Sequence, residues 1–278
     1  LSRSVRRRDR RYGPGVPELI EVERYGEAAL AVLGRRISRV IVLDPRVLNG
    51  PAKSLDELRG HRVSGVRRRG KLLLVDTTSG TETGPVLGLR FGMTGSLVVD
   101  GEPAIERLRY SSPASAERAV RLRIEFDEGE LSLHDPRRFG RVQIDPDESL
   151  LGPEARGIGV AELRSVLAVR HPPGPPLKAR LMDQSRLAGL GNLLVDEILW
   201  RTGLSPLRPC DALVDDELRR LARGIRGTVE ALIGRGGSHT GDLMEERRRD
   251  GHCPRDGAAL QRRDVGGRTT YWCPAHQR

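Results

Sequence analysis

The sequence predicts an α+β chain of more than one domain, and three observations carry that expectation. A single helical pattern is followed by some eight short β-rich runs, the texture turns helical after about residue 150, and the last thirty residues hold Cys, His and Gly with little apolar content. From Pro17 the residues Leu19, Val22, Ala29, Leu30 and Leu33 recur at helical spacing until Gly34 breaks the pattern. The β-rich runs are 37–43, 62–66, 71–76, 86–89, 96–99, 120–126, 130–133 and 141–144, separated by Gly, Asp-Glu-Gly and Ser-Gly turns. Eight strands after one helix suggest a β-sandwich with a flanking helix. Residues 161–170, 193–201 and 215–233 read as helices joined by Pro-rich connectors at 172–176 and 205–209. The final segment is too short to bury an adequate core, so it needs docking or a metal.

Composition narrows the class. At 278 residues, 37% hydrophobic and 31% charged, the chain is globular in character. No apolar run approaches the roughly 18 residues of a membrane helix, and no apolar segment follows the Arg-rich start as in a secretory signal. Three cysteines make no disulfide framework, which fits a reduced, cytoplasmic setting. The net charge of +10 favours a polyanionic partner, although Arg enrichment from a GC-rich genome has the same effect. Residues 1–15 hold six Arg and one Asp, so half of that surplus lies in a basic arm, 1–16, without periodicity.

Four segments carry chemistry, and each also has a plain structural reading. Pro17 to Glu23 suits a helix start, because Pro loses no needed N–H there and Glu matches the dipole. His134 to Gly140, HDPRRFG, places two arginines and a phenylalanine between strands. Arginine reads bases or phosphates and an apolar wedge can hold a base stack open, while an Arg–carboxylate turn over a core Phe139 is the alternative. In Asp183 to Glu197, two glycines and Asn192 open a helix whose free N–H groups suit a phosphate, with Asn192 as a simple N-cap the alternative. Lys178 stands one element earlier. Finally Cys253-x2-Asp256-x16-Cys273-x2-His276 has the spacing of paired zinc knuckles. His252 competes for the Asp256 slot, and a metal-free hairpin is the remaining reading.

In this order, and with RRRGKLLLVD and FGMTGSL between them, these segments resemble the formamidopyrimidine-DNA glycosylase and endonuclease VIII family, from Pro17 to Gln277. The resemblance implies an N-terminal two-sheet antiparallel β-sandwich with flanking helix (17–147). It also implies a helix-two-turn-helix domain (148–240) and a C-terminal zinc-finger-like β-hairpin (241–278) with one structural Zn2+. It implies a monomer acting on damaged double-stranded DNA, excising oxidised or ring-opened bases and cleaving the strand by β,δ-elimination. Pro17 would be the nucleophile forming a Schiff base, Glu18 the proton donor, Glu21 the residue orienting the N-terminus, and Lys71 the hairpin lysine beside the lesion. Met93, Arg137 and Phe139 would fill the gap left by the everted base. Lys178, Asn192 and Arg268 would hold phosphates, and Cys253, Asp256, Cys273 and His276 would hold the metal.

Three departures qualify this expectation. Ile20 replaces a usual second proline, Asp256 and His276 replace two cysteines, and only 14 residues separate Ser238 from Cys253, which weakens 8-oxoguanine specificity. An amide nitrogen is no nucleophile, so Pro17 must be the first residue of the active chain. Val16, readable from a GUG initiator, makes 1–16 an expected non-native extension. Two other readings compete: a catalytically silent DNA-binding relative, and a zinc-ribbon nucleic-acid-binding protein.

Overall fold

Helix α1 (Leu19–Ala29) is where the two hydrophobic cores meet. In this computed structural model residues 17–50, 53–105 and 118–278 are described, and the basic arm expected over 1–16 lies outside them. Leu19 and Ile20 pack into the helical core, whereas Val22, Tyr25 and Ala29 pack into the sandwich core, all fully buried. The helix tightens into one 3-10 turn, Leu30–Val32, and ends at Gly34, whose φ of +78° suits glycine.

Among the described residues every strand pair of the sandwich is antiparallel, and one isolated parallel bridge joins Leu48 to Val142. One sheet has the order β1 (Ile37–Val42), β8 (Val120–Phe126), β9 (Glu130–His134), β6 (Ser96–Val99) and β7 (Glu102–Pro103). The other runs β10 (Arg141–Ile144), β5 (Leu87–Arg90), β3 (Leu72–Ser79) and β2 (Arg62–Arg69), with β4 (Glu82–Thr83) added to β3. A short helix, α2 (Lys53–Asp56), lies in the β1–β2 connection. Leu73, Val75, Leu87 and Leu89 face Leu97, Leu122, Ile124 and Leu133 across the layer. All eight expected strands are present. Strand β2 runs past its expected end at Val66 because Arg67, Arg68 and Arg69 pair in register with Leu74, Leu73 and Leu72.

Those three arginines are absorbed by carboxylates. Arg67 binds Asp76 and Glu148, Arg68 binds Glu23 and Glu154, and Arg69 binds Glu154. The contacts reach from the hairpin to α1 and to the chain entering the helical domain.

That domain comprises α3 (Val160–Leu167), α4 (Leu177–Met182), α5 (Asn192–Thr202) and α6 (Asp215–Arg235). Gly203 (φ +68°) and Gly236 (φ +97°) end α5 and α6 in left-handed caps. Helix α3 stops at Leu167, before the expected Arg170. Helix α4 was not expected, since six residues beside a Pro-rich connector show too little periodicity. The C-terminal hairpin, β11 (Gln261–Val265) and β12 (Arg268–Trp272), docks on α5 through a small cluster of Trp200, Leu243, Cys253 and Cys273. No helix among the described residues is long and apolar enough to cross a membrane.

Candidate active site

Pro17 is buried at the start of α1, and the carboxylate of Glu18 is wholly enclosed. Glu18 does not point along its own helix. It crosses to the N-terminus of α5, where Oε2 accepts from Gly191 N (2.7 Å) and Leu194 N (3.2 Å), and Oε1 accepts from Leu193 N (2.8 Å). The free N–H groups of the GLGN turn were expected to receive a phosphate; the anion in that cradle is the protein's own Glu18. Gly191 is needed for this approach, since a Cβ there would lie 2.4 Å from Glu18 Cδ.

Burial pushes the Glu18 carboxyl above its ordinary range, with Glu21 adding to the shift while Lys71 and the backbone donors oppose it. Glu21 ties the start of α1 to the loop after α6. Its Oε2 accepts from Glu18 N (2.9 Å), and its Oε1 accepts from both Ser238 N and Ser238 Oγ (2.7 Å each). Lys71 begins the return arm of the β2–β3 hairpin and is half-buried. Its ammonium is pushed below the usual lysine range by burial, opposed by the charges of Glu18 and Glu21 and reinforced by Arg268. These four charges therefore share one field. Glu154 fixes the turn by accepting from Gly70 N and binding Arg68 and Arg69.

Met93 and Phe139 are 41% and 45% exposed, which rules out the reading of Phe139 as a core residue. The Arg137 guanidinium lies 4.9 Å from the Phe139 ring centroid. Buried Asp135 organises this loop. Its Oδ1 accepts from Thr94 Oγ1 (2.5 Å) and Arg137 N (3.2 Å), and its Oδ2 accepts from Gly140 N (2.6 Å). Thr94 follows Met93, so one carboxylate joins both turns. Tyr25 reinforces them by donating to Gly95 O (3.1 Å) and packing its ring at a tilt against Phe91. Arg138, at φ +62°, turns away to pair with Asp44 (2.8 Å).

Two expected phosphate ligands are placed differently from expectation. Asn192 is not the N-cap, a position held by Gly191; it is the first residue of α5, with its Oδ1 buried and unpartnered. Lys178 is not open to solvent: its Nζ lies 2.6 Å from Asp196 Oδ1 and both side chains are fully buried. Arg268 is exposed beside the Gly266–Gly267 turn, as a phosphate-facing arginine requires.

Cys253, Asp256, Cys273 and His276 converge, with ligand atoms all within 4.8 Å of one another. His252 is outside the cluster, in a backbone bridge with Ala259. The separations include 3.6 Å between Cys253 Sγ and His276 Nδ1, 3.3 Å between Cys273 Sγ and Asp256, and 2.9 Å between Asp256 and His276 Nδ1. Tetrahedral zinc with bonds of about 2.0–2.3 Å has edges of roughly 3.3–3.8 Å, so the donor set fits such an ion after small adjustments. His276 Nε2 faces the Trp200 carbonyl at 3.2 Å, and a carbonyl only accepts. With a proton on Nε2 donated to that carbonyl, the ring would present Nδ1 to a metal. Trp200 Nε1 (3.2 Å) and Arg255 N (3.4 Å) donate to Cys253 Sγ. Without a metal, burial pushes the Cys273 thiol up to about 11.

Sequence reasoning missed Asp135, Glu154, Asp196 and Ser238. Asp135 lies two residues from Arg137, whereas Glu154 reaches Gly70 and Ser238 reaches Glu21 from distant parts of the chain.

A sandwich and a helical unit closing over a buried N-terminal glutamate, with a hairpin finger docked on the second, define an architecture with known relatives. A family model of the formamidopyrimidine-DNA glycosylase N-terminal domain matches residues 16–142, and one of the H2TH domain matches 151–243. The formamidopyrimidine-DNA glycosylase of Thermus thermophilus is 32% identical, covering 94% of this chain and 98% of its own. That of Laribacter hongkongensis is 34% identical, covering 95% and 100%. Among solved structures, the complex of Lactococcus lactis Fpg with DNA containing an abasic site is similar, with a TM-score of 0.76 and 26% identity over 94% of this chain and 99% of that one. MutM bound to DNA containing carbocyclic 8-oxo-G has a TM-score of 0.77 at 25% identity, covering 94% and 100%. The chain belongs to the formamidopyrimidine-DNA glycosylase family.

Proposed function

We propose that the protein excises oxidised or ring-opened bases from duplex DNA and then cleaves the strand as an AP lyase, using Pro17 as nucleophile. The observation that carries this reading is the enclosed Glu18 carboxyl, adjacent to Pro17 and held by three backbone donors. Burial raises its pKa, so it keeps a proton to higher pH than an ordinary glutamate and suits a general acid.

A base inside a duplex is out of reach, so the nucleotide is rotated out at a cost of a few kcal/mol. Met93, Arg137 and Phe139 fill the gap. The Pro17 secondary amine attacks C1′, the base departs, and Glu18 protonates the ring oxygen as the sugar opens to an iminium. The iminium acidifies the C2′ protons, and β- then δ-elimination release both strand ends. Glu21 orients the N-terminus through its bond to Glu18 N. Lys71 lies beside the reacting centre, and Asn192 and Arg268 contact phosphates flanking the lesion. Zinc held by Cys253, Asp256, Cys273 and His276 would stabilise the hairpin. The active form begins at Pro17, because only a free amine can attack.

Borohydride trapping tests the reading. Protein beginning at Pro17 is expected to become covalently linked to abasic duplex, Pro17→Gly to lose most of the adduct, and Glu18→Gln to slow base removal. The Val16–Pro17 amide of the longer sequence favours a second reading, a silent binder of damaged duplex. Tight binding by the Pro17-initiated form without any trapped adduct would select it.

A further inference from the structure

We infer that Lys178, Asp196 and Arg247 form a latch that positions Arg268 on DNA, and that Lys178 acts through this latch rather than on a phosphate. The inference rests on the reading of Arg268 as a phosphate ligand.

A two-stranded hairpin leaves each strand with one unpaired edge. On β12 that edge presents the Thr269 carbonyl and the Tyr271 N–H. The latch meets both. Thr269 O accepts from Lys178 Nζ (3.3 Å) and Arg247 Nη2 (3.4 Å), while Tyr271 N donates to Asp196 Oδ2 (3.4 Å). Asp196 is the centre: its Oδ1 binds Lys178 Nζ at 2.6 Å and its Oδ2 binds Arg247 Nη2 at 2.7 Å and Nε at 2.9 Å. Arg247 also lies 5.5 Å from the Tyr271 ring centroid.

Helices α4 and α5 thus supply a rigid stand-in for a third strand. At the hairpin tip, Gly266 lies so close to Ala179 that a Cβ would come within 3.1 Å of it. Arg268 is the residue next to Thr269, so the latch sets its height over the site. Lys178 has no exposed surface from which to reach a phosphate.

Charge alone and the latch make opposite predictions for Asp196→Asn. Removing a negative charge from a DNA-binding face would strengthen binding. Breaking the latch would displace Arg268, weaken binding and remove one phosphate contact. Each such contact contributes about 0.9 to the slope of log Kobs against log[salt]. With abasic-site duplex as probe, Asp196→Asn is expected to weaken binding and flatten the slope by about 0.9, the same change expected of Arg268→Ala. In an Arg268→Ala background, neither Asp196→Asn nor Lys178→Met should flatten it further.

A further fall of about 0.9 for Lys178→Met in that background would make Lys178 a direct phosphate ligand and overturn the inference. A flattened slope for Arg268→Ala with an unchanged one for Asp196→Asn would sink the latch alone. No change for Arg268→Ala would sink the phosphate reading, and the latch's purpose with it. Lys178 and Asp196 are buried, so Arg247→Gln at the rim offers a milder variant. It is expected to flatten the slope and speed amide exchange at Tyr271, and unchanged exchange together with an unchanged slope would count against the latch.

Discussion

Asp135→Asn is the sharpest probe of how the residues proposed to fill the gap are held. The buried carboxylate accepts from Thr94 and Arg137 N on Oδ1 and from Gly140 N on Oδ2. Asparagine is nearly isosteric but has one acceptor. With its oxygen at the Oδ1 position, it keeps the first two bonds and turns an NH2 toward the Gly140 N–H, 2.6 Å away. One hydrogen bond to a charged group is lost, worth about 1.5–3 kcal/mol, and a buried N–H is left without a partner. A net loss of about 2–3 kcal/mol follows, lowering Tm by roughly 5–10 °C for a chain of this size. If the loop loosens by the same free energy, the preference for lesion-bearing over intact duplex falls by about thirty- to a hundred-and-fiftyfold. Binding to intact duplex, dominated by phosphates, should change little. The assays are thermal unfolding and paired titrations of abasic and intact duplex. An unchanged Tm together with an unchanged preference would refute the claim that Asp135 organises the two turns.

Three further outcomes are expected. Gly191→Ala, tolerated by the backbone at φ −126°, would press a Cβ to 2.4 Å from Glu18 Cδ. Displacing the acid by about an ångström should slow base excision about a hundredfold in single-turnover assays, and wild-type rates would contradict the proposed role of Glu18. Because burial raises the Glu18 pKa and the protonated form is the acid, excision by wild type should decline as pH rises through that value, and Glu18→Gln should lose this alkaline limb. Zinc at the Asp256 site should be held more weakly than by an all-sulfur and nitrogen set, so Asp256→Cys is expected to tighten it in competition with a chromophoric chelator. Equal affinity would argue that Asp256 is not a ligand.

Much of the architecture was legible along the chain, because strand and helix periods are local. The eight strands, helices α1, α5 and α6 and the Cys/His hairpin all follow from residues within a few positions of one another. Helix α4 was missed because six residues after a Pro-rich stretch carry little periodic signal. Arg67 to Arg69, which drew attention only as part of the RRRGKLLLVD run, are paired with carboxylates on the neighbouring strand, α1 and the chain after β10.

The site divides along the same line. Residue chemistry singled out Arg137, Phe139 and the metal cluster, while Pro17, Glu18, Lys71 and Met93 took their expected roles from the family resemblance. Partner choice could not be read from the sequence. The helix N-terminus at Gly191 wants an anion, but only the packing of α1 against α5 decides that Glu18 supplies it, across 173 residues. Lys178 wants a counter-charge, and the packing of α4 against α5 places Asp196 beside it. The sequence by itself therefore determined which groups need a partner, because charge and hydrogen-bonding capacity belong to each residue. Only the tertiary structure decided which partner each one has, because burial and distance are set by long-range packing.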